Sequence, residues 1–338
     1  MIQGHGDDSY IYSRTTDVNF SSNVCPIIDH KGLEDNIAQS ISLINSYPEP
    51  DGGSLATILS RKSGINENEI VVTNGATEAI YLIANAFKNK NSVILSPTFS
   101  EYSDACLLFS HNVRCIESLD EVEEDDEIIW LCNPNNPTGS VVEKSILERF
   151  INKHLNKILI LDLSYESFTR LEILSSKEVC SYSNIIAIYS LTKRYKIPGL
   201  RVGYLVANIS LTNKVKEYRM PWSVNILAIE AGKYLTELKE SLFNLDKLLE
   251  ETLRFRLELN KIKGITAFPT NTHFFLCKTD FGTADELKSY LIEKHGLLIR
   301  DASNFFGLDK SYFRIATQLK EENDKLIKAL KYWKEQYI

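Results

Sequence analysis

The most chemically loaded stretch of the chain is Tyr189-Ser190-Leu191-Thr192-Lys193-Arg194-Tyr195-Lys196-Ile197-Pro198-Gly199-Leu200-Arg201. Two aliphatic hydroxyls and four cations crowd there, just beyond an apolar run that reads as a strand. Upstream, Ile160-Leu161-Asp162-Leu163-Ser164-Tyr165 ends another such run with an acid, and a buried carboxylate needs a partner because leaving it unpaired is costly. Tyr165, three positions on, can turn toward the same cavity. Val71-Val72-Thr73-Asn74-Gly75-Ala76-Thr77-Glu78 passes from a strand through a glycine turn into a helix. The first N–H groups of that helix and its positive dipole end can receive an anion, with Thr77 adding a hydroxyl, though the same residues also serve as a simple cap. Cys132-Asn133-Pro134-Asn135-Asn136-Pro137-Thr138-Gly139 forms a stiff loop after a strand, where open α/β sheets collect ligands. Asn-Pro pairs are also ordinary turn punctuation. Near the end, Ser311-Tyr312-Phe313-Arg314-Ile315-Ala316-Thr317 sets an arginine inside an apolar strand, which calls for a paired anion.

These residues need elements to hold them. Between Glu69 and about Ile209, short apolar runs alternate with helical stretches: Ile70–Val72, Val93–Ser96, Ile128–Cys132, Ile158–Asp162, Ile185–Ser190 and Arg201–Val206. Runs this short and continuous read as strands covered on both faces, and their alternation with helices predicts an α/β domain with a mostly parallel sheet. Before it, Leu33, Ile37, Ile41 and Ile44 recur at helical spacing and predict a helix from Leu33 to Ser46, stopped by Tyr47-Pro48-Glu49-Pro50-Asp51-Gly52-Gly53. Helical texture from Pro221 to about Lys261, strands at Thr272–Lys278 and Tyr312–Ala316, and helices at Ala284–Lys294 and Glu321–Tyr337 predict a second, smaller α+β domain. The acidic run Glu117 to Glu127 reads as a solvated turn.

Composition narrows the function. With 38 basic against 45 acidic residues and a net charge of −7, the chain carries no electrostatic footprint for nucleic acid or an anionic membrane. No apolar run reaches the ~18 residues of a membrane span, and the polar, acidic start does not read as a secretory signal. Six scattered cysteines without paired spacing argue against a disulfide framework or a zinc site and fit a reducing cytoplasm. His5 has no second ligand spaced with it, so no metal site is expected.

Taken together, in this order and spacing and over nearly the whole chain, the chemical segments resemble the fold type I, pyridoxal-phosphate-dependent aminotransferase family of class I/II. The resemblance implies a large domain with a mostly parallel, seven-stranded-type sheet plus a smaller α+β domain. It divides the chain into residues 1–46, packing with the small domain, 47–225, the cofactor domain, and 226–338, an interdomain helix and the small domain. It also implies pyridoxal 5′-phosphate as cofactor and Lys193 as the residue forming the Schiff base. Lys196 lacks the preceding Ser-x-Thr frame. Asp162 matches the acid that keeps the pyridine nitrogen protonated, Asn136 and Tyr165 the partners of the ring's phenolic oxygen, and Phe99 the aromatic stacked on the ring. Gly75, Ala76, Thr77, Ser190, Thr192 and Arg201 match the phosphate cup, which guanidinium suits by binding phosphate oxygens two at a time. Tyr47 matches a tyrosine that reaches the phosphate of the other subunit, implying a homodimer with shared active sites, and Arg314 matches the substrate's anion anchor.

Two ends of the chain resemble the branch containing threonine-phosphate decarboxylase, which serves cobalamin side-chain synthesis, and histidinol-phosphate aminotransferase. Gly4-His5-Gly6 followed by Val18-Asn19-Phe20-Ser21-Ser22-Asn23 resembles the decarboxylase opening, and Leu298-Ile299-Arg300 through Phe305-Phe306-Gly307-Leu308 resembles its ending. Asp7 replaces the usual second glycine, and Val24-Cys25-Pro26 the usual Ile-Asn-Pro. The resemblance implies a phosphorylated amino acid or amine as substrate, with Arg300, Asn23 and His5 joining Arg314. His5 is expected as a phosphate contact or a capped turn. The expected activity is decarboxylation of threonine phosphate, with transamination of histidinol phosphate as the alternative. A regulator using the same domain would carry a DNA-binding module in front, which the few residues before Leu33 do not offer.

Overall fold

The structure is a computed structural model that describes residues 6–12 and 15–335. Thirteen strands are found among the described residues: β1 Val18–Asn19, β2 Ile70–Thr73, β3 Asn91–Leu95, β4 Asn112–Ile116, β5 Ile128–Cys132, β6 Ile158–Asp162, β7 Ile185–Ser190, β8 Gly203–Ala207, β9 Ile265–Ala267, β10 Phe274–Thr279, β11 Leu297–Leu298, β12 Arg300–Asp301 and β13 Tyr312–Ala316. Seven of them form one sheet in the order β2-β8-β7-β6-β5-β3-β4, in which only β8 runs against its neighbours. Period-two alternation sorts its side chains between two cores. Ile70, Val72, Ile185, Ala187 and Tyr189 face one layer. Val71, Ile186 and Ile188 face the other. Cover on both sides explains why these strands read as unbroken apolar runs.

A four-stranded antiparallel sheet, β12-β13-β10-β9, carries a separate core. Phe313, Ile315, Phe275 and Cys277 pack there against helices Leu245–Leu259, Ala284–His295 and Lys320–Glu335. The N-terminal segment joins this unit, since β1 pairs in parallel with β11 and Val18 and Phe20 enter its core. It then crosses to the large sheet, where Cys25 N–H donates to Lys193 O at 2.9 Å. Leu33 and helix Ile226–Glu237, through Ala228, Ile229 and Leu235, belong to the large core.

Several sequence expectations need correction. The first helix is α-helical only over Lys31–Ser40 and tightens to a 3-10 turn over Ile41–Asn45, so Ile41 and Ile44 face outward rather than into a core. The stretch after Pro221 is two helices, Ile226–Glu237 and Leu245–Leu259, the second begun by the Asn244 side chain accepting from Lys247 N–H. β8 starts at Gly203, not Arg201, because Arg201 has a left-handed φ of 58° that no strand accommodates. The acidic run is not merely solvated: Asp126 is buried and pairs with Arg114 at 2.5 Å. The edge strand β4 and helix Glu101–Leu108 carry no clean period and were not foreseen.

Candidate active site

A cavity of about 420 Å³ opens where the carboxyl ends of the parallel strands meet the small sheet. Each wall follows from a strand end. After β2, Gly75 takes φ 74° and opens helix Gly75–Ala86, whose next residues Ala76 and Thr77 line the cavity. A Cβ on Gly75 would lie 2.6 Å from Arg201 Nη2, so only glycine lets that guanidinium cover the helix start. Arg201 is fixed by donating to Pro198 O at 3.2 Å. Ser190 and Thr192 complete this corner, and Thr192 Oγ1 is buried without a hydrogen-bond partner among the described residues. Free amide groups, hydroxyls and a guanidinium on one concave spot suit a phosphate.

The floor is Asp162 at the end of β6, only 4% exposed. Its two oxygens each accept one bond, Oδ1 from Ser164 N–H at 2.8 Å and Oδ2 from the Tyr102 hydroxyl at 2.6 Å. No lysine or arginine among the described residues pairs with it. Phe99 lies edge-on to Tyr102, with centroids 5.9 Å apart, and also lines the cavity.

Lys193 follows β7 on the short helix Leu191–Tyr195 and projects into the same space. Its nitrogen stands 5.9 Å from the centre of the Tyr165 ring. Desolvation first, then the charges of Arg314 and Arg201, lower its pKa to about 8, while Asp162 and Asp7 pull the other way. Lys196 ends that helix with φ 53°, is exposed, and donates to Pro26 O at 3.3 Å, outside the cavity lining.

The opposite wall comes from the small sheet. Arg300 and Arg314 are direct cross-strand partners. Phe313 and Ile315 fill the core behind, so alternation turns Arg314 to the cavity. Arg314 donates to Asn136 Oδ1 at 2.5 Å and to Ser21 O. That contact occupies the carbonyl of Asn136 and leaves its amide N–H groups for another partner. Arg300 donates to Asp301 O and, at 2.7 Å, to Asn304 Oδ1. Burial lowers both arginines, to about 10 for Arg300, where Asp301 and Asp8 pull the other way, and about 9 for Arg314. Arg314 Nε and Asn23 Oδ1 are buried without a partner among the described residues. Asn23 reaches Tyr165 Oη at a long 3.5 Å.

Thus Ala76, Thr77, Phe99, Asn136, Asp162, Tyr165, Ser190, Thr192, Lys193, Arg201, Arg300, Arg314 and Asn23 share one cavity, with Gly75 beneath Arg201. Tyr47 does not join them within one chain: it is 85% exposed and rests on Trp222, 5.4 Å between ring centres. His5 lies outside the described residues. Sequence reasoning missed Tyr102, Asn304 and Phe305 as lining residues. Tyr102 was within reach, because it follows Phe99 by three positions, the spacing that puts two residues on one side of a helical turn.

The chain belongs to the family Aminotransferase class I and II, whose model matches residues 15–330. It is similar to the L-threonine-O-3-phosphate decarboxylase of Porphyromonas gingivalis, with a TM-score of 0.92 and 40% identity, over 94% of this chain and 99% of that one. It is 30% identical to the threonine-phosphate decarboxylase of Salmonella typhimurium, over 93% of this chain and 90% of that protein. It is 35% identical to the histidinol-phosphate aminotransferase of a Thermoanaerobacter species, over 86% and 85%. The fold is that of the fold type I enzymes, and their cofactor, pyridoxal phosphate, fits the residues present. Thr192 Oγ1, unpartnered among the described residues, and Arg201 suit its phosphate, the buried acid suits its ring nitrogen, and a lysine with its pKa lowered to about 8 suits its aldehyde.

Proposed function

We propose that this protein is a pyridoxal-phosphate-dependent decarboxylase of an O-phosphorylated amino acid, with L-threonine O-3-phosphate as substrate. The observation that carries the reading is the pair of buried arginines, Arg300 and Arg314, side by side on β12 and β13 and facing the lysine and acid. Two desolvated guanidinium groups suit a substrate with two anionic groups, a carboxylate and a phosphate. Histidinol phosphate brings only one. Arg314, tied to Asn136 beside the cofactor pocket, takes the carboxylate. Arg300, with Asn304 and Asn23, takes the phosphate.

Bound pyridoxal phosphate supplies an electron sink for the charge left when a bond to Cα breaks. The chain does the rest. Lys193 would hold the cofactor covalently, and Gly75, Ala76, Thr77, Ser190, Thr192 and Arg201 would hold its phosphate. Phe99 would cover the ring, Asp162 would hold a proton on the ring nitrogen, and the Asn136 amide and Tyr165 hydroxyl would serve the phenolic oxygen. Arg314 fixes the direction of the carboxylate, and the direction of the bond to be broken selects the reaction. With the substrate bound, the Cα–carboxylate bond would break with its electron pair left on Cα, carbon dioxide would leave, and the Lys193 ammonium, no longer bonded to the cofactor, would give Cα the proton that replaces it.

The reading includes a homodimer. Ile41, Ile44, Tyr47, Met220 and Trp222 form an exposed apolar face, and Trp222 N–H donates to Pro50 O, tying its two segments together. A second copy covers that face and brings its Tyr47 to this chain's phosphate cup. A cytoplasmic location accords with six free cysteines, and no described helix is long and apolar enough to cross a membrane. The product would then serve as a cobalamin side-chain precursor.

The test follows carbon dioxide and amino transfer separately. Carboxyl-labelled threonine phosphate should release labelled carbon dioxide. Amino transfer from histidinol phosphate to 2-oxoglutarate, with no carbon dioxide from phosphothreonine, would reverse the reading.

A further inference from the structure

Asp162 holds its carboxylate between two fixed donors, and only one of them comes from its own turn. Ser164 N–H is local backbone, two residues on. The Tyr102 hydroxyl comes from helix Glu101–Leu108 and crosses to Asp162 Oδ2 at 2.6 Å. Its ring is 1% exposed, stacked on Trp130 at 5.6 Å and 23°, and met edge-on by Phe99. Packing on both sides holds the hydroxyl against the acid and the Cys132 thiol beside it.

We propose that Tyr102 is a positioning residue for the cofactor: its hydrogen bond fixes the Asp162 carboxylate so that the acid meets the cofactor's ring nitrogen and the proton between them stays on the nitrogen. The inference rests on the functional reading above, in which Asp162 faces that nitrogen. A donor bound to a carboxylate stabilises its charged form, and a short O–H···O⁻ bond in a dry site does so strongly. The other groups facing Asp162 do not replace the donor. Cys132, its cross-strand partner on β5, is pushed far up by burial and by Asp162 itself and stays a neutral thiol. Tyr165 is likewise pushed up, and Lys193 is committed to the cofactor in the reading above. Tyr102 itself is raised by burial and by the carboxylate, so it keeps its proton and donates. Without it, a buried, half-satisfied carboxyl would compete with the ring nitrogen for the proton, and the electron sink would weaken.

The experiment loads the protein with pyridoxal phosphate labelled with ¹⁵N in the ring and reads the nitrogen's chemical shift. Wild type should give the protonated signal. Tyr102→Phe, which keeps the stacked ring and removes only the donor, should move it toward the unprotonated position and weaken cofactor affinity about tenfold. A cofactor analogue with carbon in place of the ring nitrogen should bind both proteins equally. An unmoved signal with unchanged affinity would overturn the proposal, as would an analogue that loses as much affinity as the cofactor. Should Tyr102→Phe not fold, the wild-type signal decides: it must stay protonated from mildly acid to mildly alkaline pH, and a transition near neutrality overturns the proposal. A wild-type protein that takes up no pyridoxal phosphate would overturn the functional reading as well, whereas uptake with an unmoved signal in the variant overturns this inference alone.

Discussion

The amine of Lys193 must lose its proton before it can attack an aldehyde, and its surroundings make that loss easy. With its pKa lowered to about 8 in the cofactor-free protein, the rate of pyridoxal phosphate capture should rise through about pH 8 and level off above it. A rate still climbing toward the ordinary lysine value of 10.5 would contradict this electrostatic account. The sign carries over to stability. Between about 8 and 10.5 the unfolded chain holds a proton that the folded chain has released, so folding grows more favourable as pH rises. Denaturation midpoints compared with Lys193→Met should diverge in that window, with wild type gaining on the variant. On the other wall, Arg314→Met should lower kcat/KM about a hundredfold, the value of a charge-assisted contact of about 2–3 kcal/mol. Most of the site was legible because its residue types stand at strand ends, where chemistry and topology coincide. Tyr102 was legible only by its place three positions after Phe99; a tyrosine in a helix more often fills a core, and the fold alone brings its hydroxyl to Asp162.

At the scale of elements, Gly75, which opens helix Gly75–Ala86, is an exacting position. Gly75→Ala must take a left-handed φ and push its Cβ into Arg201 Nη2, 2.6 Å away. The expected result is a folded protein with cofactor affinity reduced about tenfold, measured by equilibrium dialysis, since one charge-assisted phosphate contact is displaced. An unchanged affinity would show that Arg201 does not hold the phosphate. The central strands were easy to read because cover on both faces makes them continuous apolar runs, as in Ile128–Cys132 and Ile185–Ser190. The edge strand β4 was hidden because Asn112, Val113, Arg114 and Cys115 sit partly in solvent and need no apolar run. The helix predicted from Leu33 to Ser46 failed for a different reason. Its apolar period is real, but beyond Ser40 it faces outward, and a single chain cannot say what covers such a face.

That face gives the whole molecule its own test. If Tyr47 serves the partner's cofactor, mixing Lys193→Ala with Tyr47→Phe protomers makes heterodimers with one doubly defective site and one intact site, so activity should return on mixing. No recovery would mean that Tyr47 acts within its own chain or not at all. Ile44→Asp, which puts a charge in the apolar face, should shift sedimentation toward the monomer and cost activity with it. Both ideas depend on one claim, that the cavity between the two sheets holds pyridoxal phosphate on Lys193. Borohydride reduction of the loaded protein, followed by peptide mapping, tests it most directly. The label should fall on Lys193, within the Ser190-Leu191-Thr192-Lys193 peptide at the end of β7. A label on the exposed Lys196, or none on either lysine, would contradict the account.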